Sequence, residues 1–312
     1  MTSSPLQDEH TASSLFPDSD WNVLIVGSSE IAEIESEASR VESILKRLGH
    51  RTSRRIAPRT DWEERINPAK EDRYDLVVVL GGDGSILRTA HWMGYVQSPV
   101  LGINLGRLGF LAGVSSNDVD AALSNLARGR FRCVDHLMLE CEVIRQDQVL
   151  QKVLGLNEVS ILAGPPFSMI EIALHIDGEL ATTYHGDGLI VSTPVGSTAH
   201  NLSAGGPIVR KDLDAFIFTP LNPHTLSNRP VIDSATREYE LVFPSPNPGS
   251  ACVVDGRMIA GLVPDDRVRV RRAAPRFTLI EMQELAYYRT LREKLFWGGK
   301  TRVAGPTSKQ ET

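Results

Sequence analysis

Gly81-Gly82-Asp83-Gly84-Ser85 places one carboxylate among three glycines. Glycines let a backbone approach a polyphosphate where a Cβ would collide. Successive N–H groups at the start of a helix attract phosphate. An acid inside such a loop is out of place if the loop only holds anions. It fits if Asp83 accepts the proton of an attacking hydroxyl or helps to hold a magnesium ion. The plainer alternative is a tight strand-to-helix turn with the aspartate as its cap.

Three further clusters carry polar chemistry. Asn104-Leu105-Gly106-Arg107-Leu108-Gly109-Phe110-Leu111 combines glycines with an apolar plug, as a loop at the carboxyl edge of a sheet would. Asn157-Glu158 closes an otherwise apolar run from Lys152 to Leu162; an amide beside a carboxylate can grip the two hydroxyls of a ribose, or simply end a strand. From Tyr184 to Val209 the hydroxyls of Ser192, Thr193, Ser197, Thr198 and Ser203 gather with Gly196, Gly205 and Gly206. That density of small donors and bare backbone suits a sugar or phosphate, and equally suits turns.

The elements that must position these clusters follow from periodicity. Residues 22–27 form a short buried strand, followed at helical spacing by Ile31, Ile34, Ala38, Val41, Leu45 and Leu48, with Ser28 or Ser29 as cap and Gly49 as stop. Tyr74–Leu80 is a continuous apolar strand leading into the glycine loop, and Val100–Ile103 is a third. Uninterrupted apolar strands belong to a parallel sheet covered on both faces. Ser116 starts a helix through Val119, Leu123 and Leu126 that Gly129 ends. Strand alternating with helix makes residues 21–130 an α/β unit. Beyond Phe131 the period becomes two, as in Ile170, Ile172, Leu174 and Ile176, and Asp177-Gly178 and Asp255-Gly256 are hairpin turns. Residues 131–280 are therefore expected to be mostly antiparallel β. A helix over 281–297 packs back on the body, between disordered tails at 1–20 and 298–312.

Bulk composition removes several function classes. A net charge of −6 over 312 residues argues against a nucleic-acid partner, which needs a basic footprint. No apolar run approaches the roughly 18 residues of a membrane span, and the polar N-terminus is no secretory signal. Three cysteines without a CxxC pair fit reduced thiols in a cytoplasmic setting rather than a disulfide framework. Cys133, His136 and Cys141 are too widely spaced to predict a metal site. Gly299-Lys300-Thr301 lacks the preceding glycine of a Walker motif, Lys294 standing there. Nor is there a well-placed GxGxxG followed by a ribose-binding acid.

Five blocks occur in fixed order: GGDGS after VVVL, NLGRLGFL, LNEVSI, GDGLIVSTPVGSTAHNLSAGGPI and FTPLNPHTLSNRPVI. Together they resemble the NAD kinases of bacterial type over about residues 22 to 296. GGDG alone is shared with phosphofructokinases and with lipid kinases; the five blocks together are specific. The resemblance implies a Rossmann-like α/β N-terminal domain and a β-rich C-terminal domain with the active site between them. It implies ATP and NAD as substrates, a divalent metal ion (Mg²⁺) accompanying ATP without a dedicated protein site, and a homo-oligomer, dimer or tetramer, in which a neighbouring subunit completes the NAD site. By position Asp83 matches the family's proton acceptor, with Gly81, Gly82, Gly84, Ser85 and Arg88 around the nucleotide. Asn157 and Glu158 match the pair that holds the dinucleotide, and Asp187, beside His185, the aspartate near the nicotinamide riboside. Thr198, Ala199, His200, Asn201, Leu202 and Ser203 match the segment around the adenosine half, and Arg257 follows a DG element where glutamine is common. Ser85 for threonine, His185 for arginine, Val195 for threonine and His200 for tyrosine depart from the usual pattern; they bear on substrate affinity and NAD/NADH preference, not on reaction type. A non-catalytic NAD- or NADP-sensing protein is the alternative from another class, and retention of Asp83 speaks against it.

Overall fold

The computed structural model describes residues 20–58, 74–106, 109–225 and 227–282, and residues 291, 292, 294 and 295 beyond them. The expected tails, apart from Asp20, and most of the expected C-terminal helix lie outside these residues. Residues 291, 292, 294 and 295 are helical. Leu291 is buried, and the Lys294 ammonium lies 5.2 Å from the centre of the Phe110 ring, so this segment packs back on the body.

The N-terminal half contains β1 (Asn22–Ser28), α1 (Ile34–Arg47), β2 (Arg51–Ala57), β3 (Leu76–Leu80), α2 (Asp83–Met93), β4 (Val100–Asn104), β5 (Val114–Ser115) and α3 (Val119–Ala127). Strands β2, β1, β3 and β4 pair in that order, all parallel, with β5 also parallel to β4. The apolar runs of β1 and β3 serve both faces. Val23, Ile25, Val78 and Leu80 meet α1 and α3, while Leu24, Val26, Val77 and Val79 lie in a second cluster with α2. Burial of both faces is why these strands show no alternation. Helix α1 does not begin at the expected cap. Ser28 Oγ instead accepts from Glu30 N at 3.3 Å, and an intervening turn delays the helix to Ile34 with Glu33 at its N-cap. Gly49 ends it at a φ of +91°.

Next come β6 (Phe131–His136), β7 (Leu139–Arg145), β8 (Gln148–Gly155), β9 (Glu158–Leu162), β10 (Ile170–Ile176), β11 (Glu179–Gly186), β12 (Gly188–Ser192), α4 (His200–Ser203), β13 (Ala215–Leu221), β14 (Val231–Ser234), β15 (Tyr239–Val242), β16 (Ala251–Val254), β17 (Arg257–Gly261), β18 (Arg267–Arg272) and β19 (Phe277–Met282). Two antiparallel six-stranded sheets, ordered β11-β10-β15-β18-β7-β8 and β14-β13-β12-β9-β16-β17, enclose one core in which Phe218 and Tyr239 rings meet at 4.7 Å. Both predicted hairpin turns form, with positive φ at Asp177, Gly178, Asp255 and Gly256, the twist that tight two-residue hairpins need. The expected single strand from Lys152 to Leu162 is two strands in different sheets: β8 ends at Gly155 and β9 starts at Glu158. Both pieces are apolar, so composition hides the corner between them. Strands β6 and β19 pair with each other and, through β19, with β4. Residues 131–136 and 277–280, read from the sequence as part of the β-rich half, and 281–282, read as the start of the C-terminal helix, thereby complete the first sheet. Its second face, carrying α2, also buries Met138, Leu154, Leu156 and Val195 from the β-rich half. Helix α2 is thus enclosed between the two halves.

Phe218 is 1% exposed at the centre of the sandwich. Phe218→Ala is expected to cost about 3–5 kcal/mol, read as a lower denaturant midpoint with unchanged slope in equilibrium unfolding.

Candidate active site

Strand β3 delivers the chain to Gly81, whose φ of +143° and close approach to Ser85 Oγ admit no side chain. Gly82 is the N-cap of α2 and Asp83 its first residue, with no side-chain cap on the helix. The Asp83 carboxylate turns outward to the loop after β4. Phe110 N donates to Oδ2 at 2.7 Å, and Leu111 N and Ala112 N donate to Oδ1 at 2.9 and 3.0 Å. A Cβ on Gly109 would overlap this carboxylate, so the glycine is required there by contact. The loop has its own support. Lys211 Nζ donates to the Phe110 carbonyl at 2.8 Å and lies 3.9 Å from Glu281. Burial pushes the Lys211 ammonium below its ordinary pKa, opposed by the charges of Glu281 and Asp83.

Gly82 and Gly84 differ from these. Both are exposed, a Cβ on Gly82 would meet nothing within 4 Å, and one on Gly84 only an Arg88 nitrogen at 3.7 Å. Neither has a φ that demands glycine. The protein's own packing does not explain them; a ligand approaching the backbone would. On the next turn Arg88 Nη2 donates to Ser85 Oγ at 3.2 Å.

The Asn157-Glu158 pair sits at the corner between β8 and β9. Its backbone is held by Asp255, whose Oδ1 accepts from Asn157 N at 2.8 Å and Glu158 N at 2.9 Å, and whose Oδ2 accepts from Leu156 N at 2.7 Å. Residues 192–197 press on the same corner. Thr193 Oγ1 donates to the Leu156 carbonyl at 2.6 Å, Ser192 Oγ donates to that of Asn157 at 3.3 Å, and a Cβ on Gly196 would overlap the latter. Glu158 is 7% exposed, and its Oε2 is buried without a hydrogen-bond partner among the described residues. Burial first, and the charge of Asp255 second, push its carboxyl up to about 8. Near neutral pH it therefore carries a proton and can donate to a sugar hydroxyl as well as accept from one.

Residues 198–203 reach this corner through His200, whose Nδ1 lies 3.3 Å from Ser160 Oγ on β9. His200 and Ser203 are exposed, and Thr198, Ala199 and Leu202 half-buried. Asn201 is fully buried, its amide donating to the Ser197 and Pro207 carbonyls and accepting from Thr219 Oγ1 at 2.6 Å. Its side chain braces the segment and leaves no group for a ligand. His185 and Asp187 lie elsewhere. Asp187 Oδ2 accepts from Asn222 at 2.7 Å and His185 stands 3.9 Å from Glu171. In the β9–β12 register Glu158 opposes Ser192 while Gly188 opposes Leu162. The Gly188 end is thus roughly 13 Å from Glu158, at about 3.3 Å per residue. Arg257 is exposed with Nη1 3.4 Å from His91 Nδ1. Within one chain the structure places Asp83 and Arg88 on α2, brings the Asn157-Glu158 corner and Arg257 to its last turn through Asp255 and His91, sets His200 beside β9, and leaves His185 and Asp187 away from Glu158. His91, Asp255 and Lys211 escaped the sequence reading. Asp255 was visible only as a turn former, and the other two carry no local signal.

Among the described residues no three His, Cys, Asp or Glu side chains converge on a possible metal position. Cys141 and Cys252 lie in the sandwich core with their sulfurs 3.8 Å apart, and Cys133 is a free thiol.

Family models for the ATP-NAD kinase N-terminal domain and C-terminal domain match residues 19–131 and 156–282. The NAD kinase of Rhodopirellula baltica is 54% identical over 230 residues, 74% of each chain. The chain belongs to the NAD kinase family. The NAD kinase of Cellvibrio japonicus is 39% identical over 226 residues, 72% of this chain and 75% of that one. Among solved structures, the yeast NADH kinase complexed with NADH superposes with a TM-score of 0.80 at 25% identity, covering 92% of this chain and 91% of that one. The Archaeoglobus fulgidus NAD kinase in complex with ATP gives 0.69 at 26% identity, over 88% and 98%. The two-domain fold and the kinase activity of the family are accordingly those of this chain.

Two outcomes test the geometry. Gly109→Ala drives a methyl into the Asp83 carboxylate and should lower kcat at least about tenfold, the cost of a small misplacement at a reacting group, with melting temperature and circular dichroism near wild type. At Glu158 the folded protein holds a proton that an ordinary carboxyl near 4.5 releases. This group's contribution to stability is full below about 4.5 and is lost as the pH rises towards about 8. Glu158→Gln should therefore flatten the fall of melting temperature between these pH values; an unchanged slope would assign the proton elsewhere.

Proposed function

We propose that the chain transfers the γ-phosphoryl of ATP to the 2′-hydroxyl of the adenosine ribose of NAD, forming NADP and ADP, with Asp83 as proton acceptor. The observation that carries this reading is the pairing of a fixed carboxylate with glycines that only a ligand explains. Asp83 is oriented by three N–H donors beside the open backbone of Gly82 and Gly84 at the start of α2. Polyphosphate fits that end, where the helix N-terminus and Arg88 offset its charge. The ribose fits between Asp83 and the corner formed by Asn157, the protonated carboxyl of Glu158 and the segment from Thr198 to Ser203, its 2′-hydroxyl facing Asp83.

The ribose oxygen attacks phosphorus in line, the bond from the γ-phosphorus to the β,γ-bridging oxygen breaks, and ADP leaves with that electron pair. The hydroxyl proton passes to Asp83 late in the transfer, so positioning contributes more than basicity. A divalent cation, Mg²⁺, would ride on the ATP phosphates. The carboxylate of the glycine loop is already engaged by backbone donors, and the described residues hold no cluster of their own for the ion. We assign His185 and Asp187 to a neighbouring copy's site in a homo-oligomer, because within one chain Asp187 stands just before β12, at the end away from Glu158, and His185 at the end of β11 next to it. A cytoplasmic enzyme suits the free thiols, and no described helix is long and apolar enough to cross a membrane.

Incubation with ATP, Mg²⁺ and NAD should yield NADP, and polyphosphate in place of ATP tests the donor. Asp83→Asn should lower that rate by roughly 10²–10⁴-fold while NAD still binds by calorimetry. Near-normal turnover would show that Asp83 is not the proton acceptor.

A further inference from the structure

Asp255 does more than turn a hairpin. Its side chain is wholly enclosed, and besides the three N–H groups of residues 156–158 it lies 2.7 Å from His91 Nε2. On the other side of that ring, Arg257 Nη1 is 3.4 Å from Nδ1. A guanidinium only donates, so Nδ1 is the acceptor and Nε2 carries the proton given to Asp255. Every donor and acceptor role along this chain is then consistent, from Arg257 through His91 to Asp255 and the corner backbone.

The link matters because of where His91 sits. It occupies the last turn of α2, whose first residue is Asp83. They are eight residue steps apart along the helix, about 12 Å of nearly rigid rod at 1.5 Å per residue. One end of the rod holds the carboxylate against the 110–112 loop; the other is bound to the residue that gathers Leu156, Asn157 and Glu158.

We propose that His91 and Asp255 are positioning residues that set the separation between Asp83 and the Asn157-Glu158 corner, and so hold the ribose hydroxyl of NAD at the acceptor carboxylate. This role rests on phosphoryl transfer to NAD as the reaction. It makes His91 a determinant of NAD use through Asp255.

The test compares the full-length wild type with His91→Leu, which keeps bulk and loses the donor, and His91→Gln, whose amide places an N–H near the position of Nε2. Steady-state kinetics are run with ATP and NAD varied separately, with melting temperatures and calorimetric NAD affinity alongside. His91→Leu should raise KM for NAD about tenfold and lower kcat/KM for NAD by more, leaving KM for ATP within about twofold; His91→Gln should recover most of the loss. If His91→Leu fails to fold, His91→Asn, polar but too short for Asp255, should show the same split. An unchanged KM for NAD in a folded variant, equal losses for both substrates, or no recovery with glutamine would overturn the proposal. A wild type that makes no NADP would sink the assigned reaction instead, and the positioning role would then stand or fall on whether His91→Leu weakens NAD binding.

Discussion

Two carboxylates, each gathering three consecutive backbone N–H groups, hold the site together. Asp83 takes those of residues 110–112 and Asp255 those of residues 156–158. Consecutive N–H groups pointing into one concavity make a partial positive site that suits an anion. Burying a carboxylate is costly unless such donors satisfy it, so each acid and its loop specify one another. Helix α2 joins the two arrangements, with Asp83 at its start and His91 on Asp255 near its end. Its enclosure between the first sheet and the β-rich half makes that connection stiff.

Charge is divided along the same axis. The Asp83 end has the α2 N-terminus and Arg88 beside it and Lys211 behind the loop, a setting for phosphate. At the Glu158 end, burial and the charge of Asp255 keep the proton on its carboxyl below about pH 8. A protonated acid, an amide and hydroxyls suit sugar hydroxyls, which exchange hydrogen bonds in both directions. The two ends of α2 therefore offer different chemistry, one to an anion and the other to hydroxyls.

The fold was legible to different depths in its two halves. Continuous apolar runs in β1 and β3 signalled a covered parallel sheet, and alternation in β10 signalled antiparallel pairing, because period and burial are tied residue by residue. The return of β6 and β19 to the first sheet was not legible. Pairing partners far apart in sequence leave no local mark, and β19 pairs with β6 across more than a hundred residues. The corner at Asn157 was hidden for a related reason, since β8 and β9 are apolar where they meet and only their different sheets separate them.

For the site, the sequence by itself determined which groups are present: a carboxylate among glycines, an amide beside an acid, a hydroxyl-rich segment, and the order of blocks that identifies the family. These are matters of residue type and local spacing. Only the tertiary structure decided how they are used. It gives the Asp83 carboxylate to a loop behind it, spends the Asn201 amide on its own segment, and sets Asp187 just before β12, at the end away from Glu158. It also turns a hairpin aspartate into the anchor of the Asn157-Glu158 corner, and ties it to a histidine 164 residues away. Hydrogen-bond partners and burial are properties of chain segments brought together from a distance. No pattern within either segment could have carried them.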